Sequence, residues 1–286
     1  MLGLSGSGKT TFLAAFFELV TQENPNDDAL SVRDEAFDRE YFFDISQKWL
    51  GFETLLKSQT GTQQDLFLPL TAPDGTAIDL SIPDVSGETF DHIWDDGEWP
   101  VSTEELARGA DGILLFARAD AFRPPLELPP GRKLDEALPG PSGPKPNEEL
   151  DDQSVEVEVP EWDSSTSPTQ AILADLLQCI EGFERRALLT SVIISAWDTV
   201  DDESLTPAQW LEFNMPLLWQ MLQGGESERP YAVVGVSAQG GDITDPQVRK
   251  RLARHKNPID RVKVQIGDQV SSDMSVPLRW IFGRES

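Results

Sequence analysis

The chain has 286 residues, an apolar share of 39% and a formal charge of −27, enough for one large α/β core or for one core carrying a long insertion. Such a charge argues against a nucleic-acid or anionic-membrane surface, because both would repel it, and no apolar run approaches the roughly eighteen residues that span a bilayer. No secretory leader is visible, so cytoplasmic residence is expected, and the single cysteine, Cys179, reads as a buried thiol.

The chain opens with Gly3-Leu4-Ser5-Gly6-Ser7-Gly8-Lys9-Thr10, which fits the spacing G-x-x-x-x-G-K-[ST]. Glycines there let successive backbone N–H groups turn inward around phosphate oxygens. Lys9 reaches the β and γ phosphates, and Thr10 supplies a hydroxyl to Mg²⁺. The apolar, glycine-free stretch TFLAAFFELV that follows predicts a buried helix running to Thr21, whose positive N-terminal end points at the same anion. Thr11 joins Gly3, Ser5, Gly6, Ser7, Gly8, Lys9 and Thr10 among the expected nucleotide-binding residues. A motif of this kind follows a buried central strand, and only Met1 and Leu2 precede Gly3. The expectation is therefore of an empty slot in the sheet and of further sequence upstream.

Residues 35 to 57 read as an amphipathic helix with the stripe Phe37, Tyr41, Phe42, Ile45, Trp49, Leu50 and Phe52. DLFLPL and AIDLSI, joined by APDGT, predict an antiparallel hairpin ending near Asp84. The runs 113–117, 190–196 and 231–236 are short and continuously apolar, as in strands buried on both faces. Helical patterns at 101–108, 169–187 and 207–222 separate them, giving a three-layer, mostly parallel α/β fold with one antiparallel hairpin strand. VPLRWIF forms a last helix.

Between residues 123 and 168 the sequence turns acidic and holds nearly half of the 21 prolines; it reads as a disordered insertion within a single domain spanning residues 1–286. The basic stretch from Arg249 to Lys263 reads as a solvated helix face.

The order of motifs resembles the Ras-like, TRAFAC-class P-loop GTPases. Asp84-Val85-Ser86-Gly87 looks like that family's D-x-x-G, which implies that Asp84 holds Mg²⁺ through water and that the Gly87 N–H meets the γ-phosphate. Ser195-Ala196-Trp197-Asp198 stands where the family has N/T-K-x-D, and Ser237-Ala238 matches its S-A loop, whose backbone N–H contacts the guanine oxygen. Ser195 and Ala196 replace the usual asparagine and lysine, leaving Asp198 to take the hydrogens of the base. Trp197, beside it, is a candidate for stacking on the base. Glu88 stands where the family places a water-orienting glutamine, and a carboxylate there repels the γ-phosphate, so the implied hydrolysis is slow. For the first switch, Thr62 fits the threonine that meets Mg²⁺, with Thr60 second.

The opening GLSGSGKTTFL, the DVSGE element and the PLRWIF ending look like bacterial double-GTPases. The resemblance implies a Mg²⁺-dependent GTP-binding switch protein, with ATP as the alternative nucleotide and a hydrolysis-poor nucleotide-binding scaffold as the alternative role. A protein partner or activator goes with either. An arginine acting from within the chain is conceivable at Arg108, Arg118 or Arg123, and the sequence selects none of them.

Overall fold

The computed structural model describes residues 1–22, 30–55, 66–83, 88–125, 167–184, 188–224 and 230–283. In chain order they form α1 (Lys9–Thr21), β1 (Ser31–Val32), α2 (Arg39–Leu50), β2 (Leu66–Thr71), β3 (Ala77–Ile82), α3 (Glu88–Asp96), α4 (Val101–Arg108), β4 (Gly112–Arg118), α5 (Thr169–Glu184), β5 (Leu189–Ser195), α6 (Pro207–Asn214), α7 (Pro216–Gln223), β6 (Tyr231–Ser237), α8 (Pro246–Leu252), β7 (Lys263–Ile266), β8 (Gln269–Ser271) and α9 (Val276–Phe282).

The three apolar runs form the parallel centre of a five-stranded sheet in the order β4-β5-β6-β7-β8. Burial on both faces explains why their apolar sequence is continuous rather than alternating. Leu114, Phe116, Ile193, Val234 and Val236 pack into one core with α1, α2 and α9. Their neighbours Ile113, Leu115, Ala117, Val192, Ile194 and Val233 point to a second core with α3 to α7. Helices therefore cover both faces, giving the three-layer arrangement expected. Phe12 of α1 stacks on Phe16 and meets Phe116 of β4 edge-on, with ring centroids 5.9 and 5.3 Å apart, which fixes α1 and the loop before it over the sheet.

Several features differ from expectation: α2 is shorter than the 35–57 pattern, and the hairpin β2-β3 lies in a separate sheet rather than pairing with the parallel strands. The helical pattern 207–222 is two helices, because Pro216 removes a backbone donor and pushes Met215 out of helical geometry (φ −134°, ψ 58°). The far edge of the sheet carries an additional antiparallel hairpin, β7-β8, paired to β6. Its signal is present in Gly267-Asp268, with Gly267 at φ 54° between two alternating strands.

β1, β2 and β3 form a separate antiparallel sheet. Met1 and Leu2 lie between it and β4. The Met1 amino group donates to Ser81 O at 2.8 Å, while Leu2 bridges in parallel to Leu115 through Leu2 N to Leu114 O and Phe116 N to Leu2 O, both 2.8 Å. Beside them is a cleft of about 430 Å³ whose walls include Ile78 and Leu80 of β3 and Ile113 and Leu114 of β4. No helix among the described residues is long and apolar enough to cross a membrane.

Candidate functional site

The phosphate end grows out of α1. Gly8 caps the helix in the left-handed region at φ 91°, and Gly6 sits at φ 75°. A Cβ on Gly8 would also lie 2.8 Å from Ser195 Oγ, and one on Gly3 would lie 2.7 Å from Ser7 Oγ, so both positions admit only glycine without a shift. The first intrahelical bond runs from Phe12 N to Gly8 O at 3.0 Å, leaving the N–H groups of Thr10 and Thr11 at the helix start without helical carbonyls.

Lys9 is 2% exposed and donates from Nζ to Gly3 O at 2.6 Å and Leu4 O at 3.1 Å. Its ammonium thus lies across the loop. The hydroxyls of Ser5 and Ser7 are buried without a hydrogen-bond partner, an arrangement that costs free energy unless a ligand or water completes it. The N–H groups at the start of α1, a buried ammonium and two orphaned hydroxyls fit an anionic phosphate chain.

Two contacts tie this loop to the opposite end of the site. Ser195, at the tip of β5, donates from Oγ to Ser7 O at 2.7 Å. Arg118, at the tip of β4, donates from Nη1 to Gly6 O at 3.3 Å and is held bidentate by Asp120 at 2.5 and 3.0 Å. That ion pair, with the charge of Asp198 adding to it, raises the Arg118 pKa. Arg118 and Arg123 both line a cavity of about 230 Å³ against Ser5, Gly6 and Ser7. Arg108, by contrast, is engaged by Glu104 and by Phe183 O, so of the three arginines the structure brings two to the loop.

Beyond the tip of β5, Ala196 adopts φ 53° and turns the chain into a short 3₁₀ segment, Trp197–Thr199. This presents Asp198 at the surface. Ser237 Oγ donates a short hydrogen bond to Asp198 Oδ1 and accepts one from Gly240 N at 3.2 Å. Asp198 and the Ser237-Ala238 loop, 39 residues apart, are thereby one unit. Trp197 is placed differently from the expectation of a base-stacking ring. It is 8% exposed, its Nε1 donates to Gln265 Oε1 at 2.8 Å, and its ring fills the space above Gly235, where a Cβ would approach within 2.5 Å. The indole is core packing.

Sequence reasoning missed Asp91. On α3 it accepts from Ser5 N at 3.4 Å. Its pKa is raised first by burial and also by Asp95, against the lowering effects of the Ser5 bond, Lys9 and Arg123. Glu88, the expected water-orienting residue, is exposed in the first turn of the same helix. The signal for Asp91 was its helical spacing, one turn after Glu88. Thr60, Thr62, Asp84 and Gly87 lie outside the described residues, as do residues 126–166 of the acidic insertion. The ends of that insertion are joined: Thr169 N donates to Arg123 O at 3.0 Å, and Arg123 N to Thr169 Oγ1 at 2.9 Å. His92, His255, Asp95, Asp96 and Glu98 are exposed, and no group of three metal-binding side chains occurs among the described residues.

The sequence profile of the Double-GTPase 1 family matches residues 1–281. No curated protein and no solved structure matches the chain. With a phosphate loop at its start and a match that spans nearly its whole length, the chain belongs to the Double-GTPase 1 family.

Proposed function

We propose that the chain binds GTP with Mg²⁺ at the Gly3–Thr10 loop, hydrolyses it slowly and acts as a switch. The observation that carries the guanine part of this reading is the pairing of Asp198 with Ser237. It uses one carboxylate oxygen and leaves Oδ2, which accepts no hydrogen bond from the described residues, for the adjacent N–H donors of a guanine. Adenine offers no such pair of donors, so a loop built around Asp198 favours GTP over ATP.

At the other end the ligand's phosphates replace the loop carbonyls as acceptors for Lys9 and meet the N–H groups at the start of α1. Thr10, with Asp84 and Thr62, would hold Mg²⁺, which supplies charge neutralisation on the β and γ phosphates. Asp91, against Ser5 N at this end, and Glu88, one turn before it on the same helix, are carboxylates that disfavour the accumulation of negative charge on a γ-phosphate. This supports slow turnover, and it equally supports the second reading, a nucleotide-binding scaffold with little hydrolysis.

The test is a titration with fluorescent GTP and ATP analogues in Mg²⁺, followed by single-turnover phosphate release. GTP bound at least about tenfold more tightly than ATP, a difference of roughly 1.4 kcal/mol, with binding lost in Lys9→Ala, is the expected result. Tight binding with no phosphate release selects the scaffold. ATP preference removes the role given to Asp198.

A further inference from the structure

The aromatic helix α2 lies outside the nucleotide motifs, yet it reaches the base end of the site from behind. Trp49 is fully buried, and its Nε1 donates to Ala238 O at 2.9 Å. Arg261, 4% exposed, is sandwiched with its guanidinium carbon 3.8 Å from the Trp49 ring centroid and 4.2 Å from that of Phe52. It also donates from Nη2 to Trp49 O at 2.6 Å. Burial lowers the Arg261 pKa to about 10, with Glu18 opposing the fall, so the group stays cationic at neutral pH and the stacking is a cation–π contact. Phe52 reaches its place through a left-handed residue, φ 57°, held by Phe52 N to Trp49 O at 3.2 Å.

The backbone of Arg261 bears on the same loop. A Cβ on Gly240, at φ 86°, would lie 2.2 Å from Arg261 O, so loop and bracket are in direct contact. The loop 237–240 is therefore fixed at three points: Ser237 to Asp198 in front, Ala238 O to Trp49 behind, and Gly240 against Arg261. A buried indole N–H requires an acceptor, and the acceptor used here belongs to the peptide that follows Ala238. Holding that carbonyl fixes the tilt of the peptides on either side, including the one that carries the Ala238 N–H, the group that the GTP-binding reading assigns to the guanine oxygen.

We propose that Trp49 is a positioning residue that sets base selectivity by holding the Ala238 peptide in place, with Arg261 clamping the indole from the other side. The inference rests on the GTP-binding reading.

The experiment compares the wild-type chain with Trp49→Phe, which keeps a ring under Arg261 and removes the donor together with part of the buried ring, and with Ile45→Val as a packing control on the same helix. Ile45 is buried and makes no bond to the loop. In Trp49→Phe the GTP:ATP affinity ratio is expected to fall three- to tenfold, of the order set by one hydrogen bond. Affinity for tripolyphosphate, which probes only the phosphate end, is unchanged. Ile45→Val lowers Tm and leaves the ratio alone. A wild-type ratio in Trp49→Phe overturns the proposal. Should the wild-type chain itself show no guanine preference, the functional reading fails, and the bracket is judged on amide hydrogen exchange at residues 238–241. Faster exchange in Trp49→Phe than in Ile45→Val supports it, and equal exchange overturns it.

Discussion

Between Gly3 and Thr10 the described groups that can face a phosphate come almost entirely from eight consecutive residues and the helix they open, whereas the base end draws on Asp198, the loop after Ser237, Trp49 and Arg261. The first end is a local conformation: two left-handed glycines, a helix start and one lysine. The second is an assembly whose members are joined by hydrogen bonds between residues 39, 189 and 212 positions apart along the chain. The difference teaches where each end is vulnerable. A local loop fails when its backbone is strained, and an assembled one fails when any distant contact is lost. Ser195, which bonds Ser7 O from the strand that leads to Asp198, is the joint between them.

The largest expected effect is at the base end. Asp198→Asn turns part of an acceptor pair into a donor, and GTP affinity is expected to drop roughly a hundredfold, about 2.7 kcal/mol, while tripolyphosphate affinity holds; equal losses for both ligands would show that the two ends are not separable. Next is Gly8→Ala, where a side chain meets both φ 91° and Ser195 Oγ at 2.8 Å. A loss of about 1–3 kcal/mol in stability, read from denaturant midpoints, together with weakened binding of every phosphate ligand, is expected. A neutral result would mean the loop is less constrained than its geometry.

Ser195→Ala removes the joint, leaving Ser7 O without its donor. GTP, ATP and tripolyphosphate should all weaken by about three- to tenfold, and a change confined to GTP would move Ser195 wholly to the base end.

The smallest effect concerns Asp91. Its folded pKa is raised above the ordinary 3.8, so the folded state holds the proton more tightly than the unfolded one. This contribution favours folding at low pH and is lost as pH rises from 3.8 through the folded value. Asp91→Asn should therefore flatten the stability profile in that window, with Lys9, Arg123 and Asp95 as the charges that face it. An unchanged Tm-against-pH curve would place the carboxylate in solvent rather than against Ser5.

Much of this architecture was legible because its signals are local. The central strands, α1, α4 and α9 follow from continuous apolar runs, helical periodicity and a glycine-rich turn, all readable within a dozen residues. The split at Pro216 and the β7-β8 hairpin at Gly267-Asp268 were present in the sequence as turn and breaker signals and were passed over beside stronger apolar patterns. Trp197 was misjudged because a tryptophan next to an aspartate at a strand end looks the same in sequence whether its ring faces a ligand or the core. Only Gly235 and Gln265, brought beside it by the sheet, decide the matter.

The sequence by itself determined the phosphate loop, the helix behind it and the alternation of buried strands with helices, because each depends on backbone preferences and hydrophobic spacing between near neighbours. Tertiary structure alone decided which carboxylate lies against Ser5, which two of three arginines reach the loop, and what holds Ala238 in place. Those outcomes depend on side chains from separate elements meeting in a crowded interior, where a hydrogen bond or a ring face is available only at the position and angle the whole fold provides.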